Sequence, residues 1–329
     1  MSSEAIVEVC RQIRSTACEV DTSFSPPELQ LRLLAEAGYF SLTARAEASI
    51  RRRLLDQLSA ACGATAFLAS QHEASCRRLL SAGHPLFASA ERGRDWVGIC
   101  FAHLRRDPSP VTVRDGPVLQ FDGQGPWFSG VGLMEKLLLA GATPDGRFLM
   151  ALVELDAPGL SVGRPFPLAV MNATATASLE LREVKANRSE LVLENDAVSM
   201  NQADMHATVM QSSRSLGVAR ACAEFLPATA RQALLGRIER IHLAMDRWDT
   251  QPTWATATEL RVQALGLSAS VVAAAFAAVG GRANALGHPL QRMAREATFY
   301  ATAQTTEELR QALSATVSVG DQPKGVYLI

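Results

Sequence analysis

Glycines that let backbone N–H groups close on an anion are the first place to look for chemistry, because no Cβ stands in the way. The run Gly123 to Gly132, GQGPWFSGVG, is the best candidate. It lacks the GxGxxG spacing at a strand-to-helix turn, and strand-like residues flank it on both sides, which argues against a Rossmann phosphate loop; no Walker loop occurs elsewhere. The six histidines (His72, His84, His103, His206, His242, His288) show no HExxH or other metal-ligating spacing. GLSVG (Gly159 to Gly163) has the GxSxG spacing but reads as a strand-length run, not as an elbow that presents a nucleophilic serine. Each lone histidine therefore reads as a surface or satisfied core residue. The six cysteines (Cys10, Cys18, Cys62, Cys76, Cys100, Cys222) form no CxxC pair and mostly have apolar neighbours. They are expected to be buried free thiols in a reducing, cytoplasmic compartment.

The elements that would position these residues fall into three segments of different period. Residues 1–95 read as helices: Ile6, Val9, Ile13 and Ala17 recur at helical spacing, and Leu29, Leu33, Leu34 and Ala37 share a face after Pro26-Pro27. Gly38 closes that helix. Ile50, Leu54, Leu55 and Leu58 line a third helix, and another runs from Phe67 through His72 and Cys76 to Leu80. From Trp96 the period shortens. WVGICFAH, PVLQFDG, KLLLAGAT, RFLMALVEL, GLSVG, ATASLELREV and SELVLE are of strand length, separated by turn signals such as Asp115-Gly116 and Pro144-Asp145-Gly146. Residues 96–197 are thus expected to form a middle antiparallel β-barrel domain. Over 198–329 the helical period returns in four amphipathic segments, which predict a four-helix bundle. The tail, GDQPKGVYLI, reads as extended.

The chain of 329 residues is long enough for several such segments, and its 48% hydrophobic and 20% charged content is that of a globular protein. A net charge of −1 gives no footprint for nucleic acid or an anionic membrane. MSSEAIVEVCRQIR carries charges among its apolar positions and shows no signal-peptide core. The apolar stretch Leu265 to Val279 is rich in alanine and reads as a buried bundle helix rather than a membrane span.

This order of helices, β segment and helical bundle resembles the acyl-CoA dehydrogenase-like flavoproteins, which include related flavin-dependent monooxygenases. Four local matches carry the resemblance. GPWFSG (Gly125 to Gly130) looks like the family's Trp-Ile-Thr strand, and LVELDAPGLSV (Leu152 to Val162) like its Pro-Gly turn region. AAVGGRANALGHPLQRMARE (Ala277 to Glu296) is similar to its Gly-Gly turn and following helix, and TTEELR (Thr305 to Arg310) to the helix start after its Glu-Gly-Thr motif. The resemblance implies an FAD cofactor between the β segment and the bundle. Trp127 would pack near the flavin ring, and Ser129 would stand where the family's threonine bonds the reactive flavin nitrogen. Phe101, Ala102 and His103, on a strand ICFAHL, would offer backbone groups to the pyrimidine end. Gly280 and Gly281 would admit the cofactor's phosphates.

Three departures bear on activity. Phe101 to Pro108 replaces the family's Thr-Glu-Pro and Gly-Ser-Asp pattern, and Arg105-Arg106 suits either a ligand's phosphates or a solvated turn. Ala303-Gln304 stands where Glu-Gly is expected, and alanine cannot abstract the α-proton of a thioester. Relatives that move the base to the first bundle helix point to about Ala207 here, beside His206, whose neutral imidazole is a weak candidate base or an ordinary helix histidine. Glu307 and Glu308 read as first-turn helix residues, and Glu296, beside Arg295, as a structural partner. Finally, the chain between Phe225 and Arg237 lacks the Arg-x-x-Phe segment through which a neighbouring subunit holds FAD. The resemblance implies an FAD-linked oxidoreductase acting on an acyl thioester or similar small molecule, with its catalytic glutamate replaced. The alternatives are a flavin-dependent monooxygenase, mildly favoured by HPLQR, and a flavin-free scaffold relative. A homodimer or homotetramer through the C-terminal helices is expected on the same ground.

Overall fold

The computed structural model describes residues 3–106 and 108–318; the tail expected to be extended lies outside them. In chain order the helices α1 (Ser3–Thr22), α2 (Glu28–Glu36), α3 (Tyr39–Arg45), α4 (Ala48–Ala61), α5 (Gly63–Ser81) and α6 (Phe87–Ala90) precede the strands. These are β1 (Val97–Cys100), β2 (Val111–Arg114), β3 (Val118–Phe128), β4 (Lys136–Ala142), β5 (Phe148–Glu154), β6 (Leu160–Val162), β7 (Ala177–Asn187) and β8 (Leu191–Asn195). Then come α7 (Ala197–Cys222), α8 (Ala228–Trp248), α9 (Trp254–Val279), α10 (Pro289–Thr302) and α11 (Glu307–Ser318). The chain groups into two compact units: residues through Ala46 with Ala64–Gln202, and Glu47–Gly63 with Ala203 onward.

The first unit is built on the sheet. Its strand order is β6-β7-β3-β2-β4-β5-β8, with β1 also paired to β4. Most pairs are antiparallel as expected, but β1 and β2 each run parallel to β4, so the sheet is mixed. The reason is topological: β3 reverses against β2, and the next strand, β4, pairs back with β2 rather than with β3. β4 and β5 are buried along five consecutive residues each, as continuous apolar runs require. β7 alternates instead, burying Ala177, Leu179 and Leu181, then, past left-handed Glu183, Val184 and Ala186. Among the helices, Ile6, Cys10, Ile13, Ala17 and Val20 form the buried stripe of α1. On α2 the buried face is Leu31, Leu34 and Ala35, whereas Leu29 is exposed, a rotation of the expected stripe. Gly38 does end α2, at φ 76, with its N–H on the Ala35 carbonyl. His72 sits against the rings of Phe40 and Trp96. Its Nε2 donates to the Ala90 carbonyl at 2.9 Å, and its Nδ1 accepts from Val97 N–H at 3.1 Å, which pins the start of β1.

The second unit is helical, and buried ion pairs tie it together. Arg52 on α4 grips Asp249 at 3.0 and 2.6 Å and reaches Asp246 at 2.7 Å. Asp56 accepts from Arg220 on α7 and from His242 Nε2 on α8, at 2.7 and 2.9 Å. These contacts explain why α4, within the N-terminal helical stretch by periodicity, groups with the C-terminal helices. Ile50, expected on its apolar face, is exposed, while Leu54, Leu55 and Leu58 are buried. The fourth C-terminal segment is two helices rather than one. It breaks at Ala303, where Arg261 of α9 reaches in to cap the carbonyls of Tyr300 and Ala303, and Gln304 turns left-handed at φ 57. By length and composition α9 is apolar enough to cross a membrane; in this unit it buries Leu260, Ala264, Leu265, Leu267 and Val271.

Candidate functional site

In the sheet unit the chemistry gathers at the C-terminal end of β3. Gly123 adopts φ 126, and a Cβ there would lie 2.0 Å from the Pro110 carbonyl oxygen, so the glycine serves close strand contact and not a phosphate. Further along, the β3–β7 ladder loses register between Gly125 and Phe128. Pro126 supplies no N–H, and a bulge is where a strand tolerates that. The bulge turns Trp127 outward: it is 51% exposed, and its ring meets that of Phe166 edge to face at 5.3 Å. Trp127 is therefore no core packing residue. Two positions on, Ser129 is buried, its hydroxyl 2.7 Å from Thr176 Oγ1. Thr176 Oγ1 lies 2.8 Å from Thr174 Oγ1, which donates to the Met171 carbonyl. Met171 and Ala175 are both left-handed, at φ 64 and 43, an uncommon state for residues with a Cβ. That tight turn aligns the three hydroxyls.

Beneath the bulge, the expected strand ICFAHL stops at Cys100, and Ala102–Arg105 form a 3-10 turn. β1 pairs with β4 only as far as Leu139; the next β4 carbonyl, of Ala140, accepts from His103 Nε2 at 2.8 Å. A side chain has taken the ladder's next acceptor. Phe101, Ala102 and His103 thus lie at a turn after β1 and not on the strand edge expected from the sequence. Burial, helped by Arg105 and Arg106, pushes the His103 pKa down to about 4, so it is neutral. The Cys100 thiol beside it is pushed up to about 12 by burial and is no thiolate nucleophile. The guanidinium of Arg105 lies over the Phe101 ring at 5.4 Å, as does that of Arg78 from α5. Five of the six cysteines are buried as expected; Cys18 is exposed.

In the helical unit the predicted residues separate. His206 is exposed on α7 with its ring on Trp248, centroids 5.0 Å apart. Ala303 is the C-terminal cap of α10. Beside it, Gln304 Nε2 donates to Asp204 Oδ1 at 3.1 Å. Asp204 is a carboxylate sequence reading missed: it lies one turn before Ala207 on α7, and only the folded α10–α11 turn reveals it. Glu296 pairs with Arg292 at 2.7 Å and accepts from Gly63 N–H, so its role is structural, with a different arginine from the one expected. Glu307 and Glu308 do open α11. The segment HPLQR caps α10: His288 Nδ1 accepts from Leu290 N–H, and Gln291 donates to the Ala283 carbonyl. Gly280, at φ 72, and Gly281 open a 3-10 turn with nothing within 4 Å of where a Cβ would stand. Among the described residues no cluster of His, Cys, Asp or Glu could hold a metal ion.

No protein-family profile and no curated protein sequence matches the chain. Solved structures do. Methanesulfinate monooxygenase from Pseudomonas fluorescens superposes with a TM-score of 0.78 over 100% of both chains, at 15% identity. Butyryl-CoA dehydrogenase from Megasphaera elsdenii gives 0.77 over 97% of this chain and 99% of its own, at 12% identity. The chain has the acyl-CoA dehydrogenase fold. Glutaryl-CoA dehydrogenase from Mycobacterium smegmatis, solved in complex with FADH2, shares it at 15% identity, with a TM-score of 0.75 over 98% of this chain and 96% of that one. Both dehydrogenases and monooxygenases use this fold, so the fold alone does not assign a reaction. Within the sheet unit the residues at the end of β3 suit a flavin ring: an outward aromatic ring offers a stacking face, and a buried hydroxyl ends a hydrogen-bonded chain.

Proposed function

We propose that this protein is a flavin-linked oxidoreductase that works on a small substrate without a proton-abstracting carboxylate at position 303, in the manner of flavin-dependent monooxygenases. The observation that carries it is the α10–α11 turn: Ala303 offers a methyl group and a carbonyl already bonded to Arg261. When bound, reduced flavin supplies the electrons for oxygen chemistry. The chain's own residues do the rest. Trp127 and Phe166 would give the ring an apolar face, and Ser129 would present its hydroxyl oxygen to the reactive ring nitrogen. Methanesulfinate monooxygenase, which shares this fold at 15% identity, is an example of a monooxygenase on it.

A second reading has its own observation. Asp204, held by Gln304 beside the empty base position, could take an α-proton from an acyl thioester, as the dehydrogenase neighbours suggest. The two separate in one experiment. Under the first reading, protein supplied with reduced FAD consumes oxygen with a suitable acceptor, and no acyl thioester bleaches bound oxidised FAD. Bleaching by a thioester, abolished at least 100-fold in rate by Asp204→Asn, would instead establish the second.

A further inference from the structure

The Ser129–Thr176–Thr174 chain has a fixed proton direction. A carbonyl cannot donate, so the 2.7 Å contact between Thr174 Oγ1 and the Met171 oxygen takes the only proton Thr174 has. Thr174 can then only accept from Thr176 across 2.8 Å. Thr176, its proton committed, can only accept from Ser129 across 2.7 Å. The Ser129 proton therefore points into the protein, and only its lone pairs remain for a ligand. The direction is hard to reverse. Thr174, Thr176 and Ser129 are 1%, 7% and 8% exposed, and reversal would press a hydroxyl lone pair against the Met171 oxygen in a dry interior. The Met171 carbonyl is itself held, accepting also from Thr174 N–H at 2.9 Å, within a turn bounded by two left-handed residues.

We infer that this chain makes Ser129 an obligate hydrogen-bond acceptor, so that the site selects the reduced over the oxidised flavin. The inference rests on the flavin reading above. The reactive ring nitrogen of reduced flavin carries a hydrogen and matches an acceptor; in oxidised flavin the same nitrogen is itself an acceptor, and two lone pairs would face each other. Thr174 acts from behind as a positioning residue, too buried to touch a ligand.

The test is an anaerobic titration of the full-length protein with FAD, oxidised in one series and dithionite-reduced in the other, at matched ionic strength. The wild type is expected to bind reduced FAD about tenfold more tightly, the worth of one hydrogen bond gained against one mismatch. Thr174→Val keeps the side-chain volume but removes the proton sink, so Ser129 becomes free to donate outward. The preference should then fall to near parity, chiefly because oxidised FAD binds better. Thr174→Ser, which restores the hydroxyl, should restore the preference, a rescue that a packing role would not show. Thr176→Val frees Ser129 by a second route and keeps the test decisive should Thr174→Val lower the melting temperature too far. Equal affinities in the wild type, or a preference that survives both valine variants, overturns the inference while leaving flavin binding intact. Binding of FAD in neither state overturns the flavin reading, and this inference with it.

Discussion

His103 is neutral in the folded sheet unit, because burial outweighs its bond to the Ala140 carbonyl and holds its pKa at about 4 against an ordinary value of 6.5. Above pH 6.5 it is neutral both folded and unfolded, so it adds no pH dependence. Between that value and about 4 the unfolded chain binds a proton that the folded chain refuses. Stability should therefore fall as pH falls through this window and level off below it, by on the order of 2–4 kcal/mol in all. Burial lowers the His72 pKa too, in the same direction. Denaturant unfolding at pH 7 and at pH 4.5 measures this; His103→Gln should remove about one proton's share of the slope, and an unchanged slope would show His103 is not the group responsible. Trp127 gives a complementary residue-scale prediction. Because it is half-exposed, Trp127→Ala should change unfolding free energy by no more than about 0.5 kcal/mol. It should weaken flavin binding about tenfold. A loss of about 3–5 kcal/mol of stability would mark it as a core residue instead.

The helices of the second unit approach one another through small residues and buried charge. A Cβ on Gly217 of α7 would fall 2.5 Å from the Asp56 carbonyl oxygen and 2.6 Å from Ser59 Cβ of α4, so Gly217→Ala must push the two helices apart. We expect a loss of about 1–3 kcal/mol, seen as a lower urea midpoint at unchanged slope. Gly236, whose added Cβ would meet nothing nearer than Arg240 Nη1 at 3.6 Å, is the control and should be neutral or slightly stabilising as alanine. Periodicity made most of these elements legible, because long amphipathic runs such as those of α8 and α9 leave little choice of structure. The failures have physical causes. The ICFAHL strand ended early because a histidine side chain replaced the backbone at the Ala140 carbonyl. Glu307 and Glu308 mark the start of α11 in the sequence, but the cap that ends α10, Arg261, lies about forty residues away in sequence and is invisible to a local pattern. Trp127 and Ser129 could be singled out from GPWFSG, but Thr174 and Thr176 could not. Small hydroxyls in NATATA look like any strand approach until the turn around Met171 and Ala175 stacks them.

At the scale of the whole molecule, the C-terminal helices present a face that no described residue covers. Gly266, Ser270, Ala273 and Ala277 of α9 are exposed at helical spacing on an otherwise apolar helix. We propose that a second copy packs there, and light scattering at micromolar concentration should report a dimer or tetramer; a monomer would contradict this. The flavin claim has a more direct test. Full-length protein is mixed with reduced FAD without oxygen, passed anaerobically through a gel-filtration column, and the protein peak is then exposed to air and scanned in the visible. The flavin reading predicts a near-stoichiometric flavin absorption band co-eluting with the protein. A folded protein peak with no flavin, all of it eluting at the small-molecule volume, would contradict it.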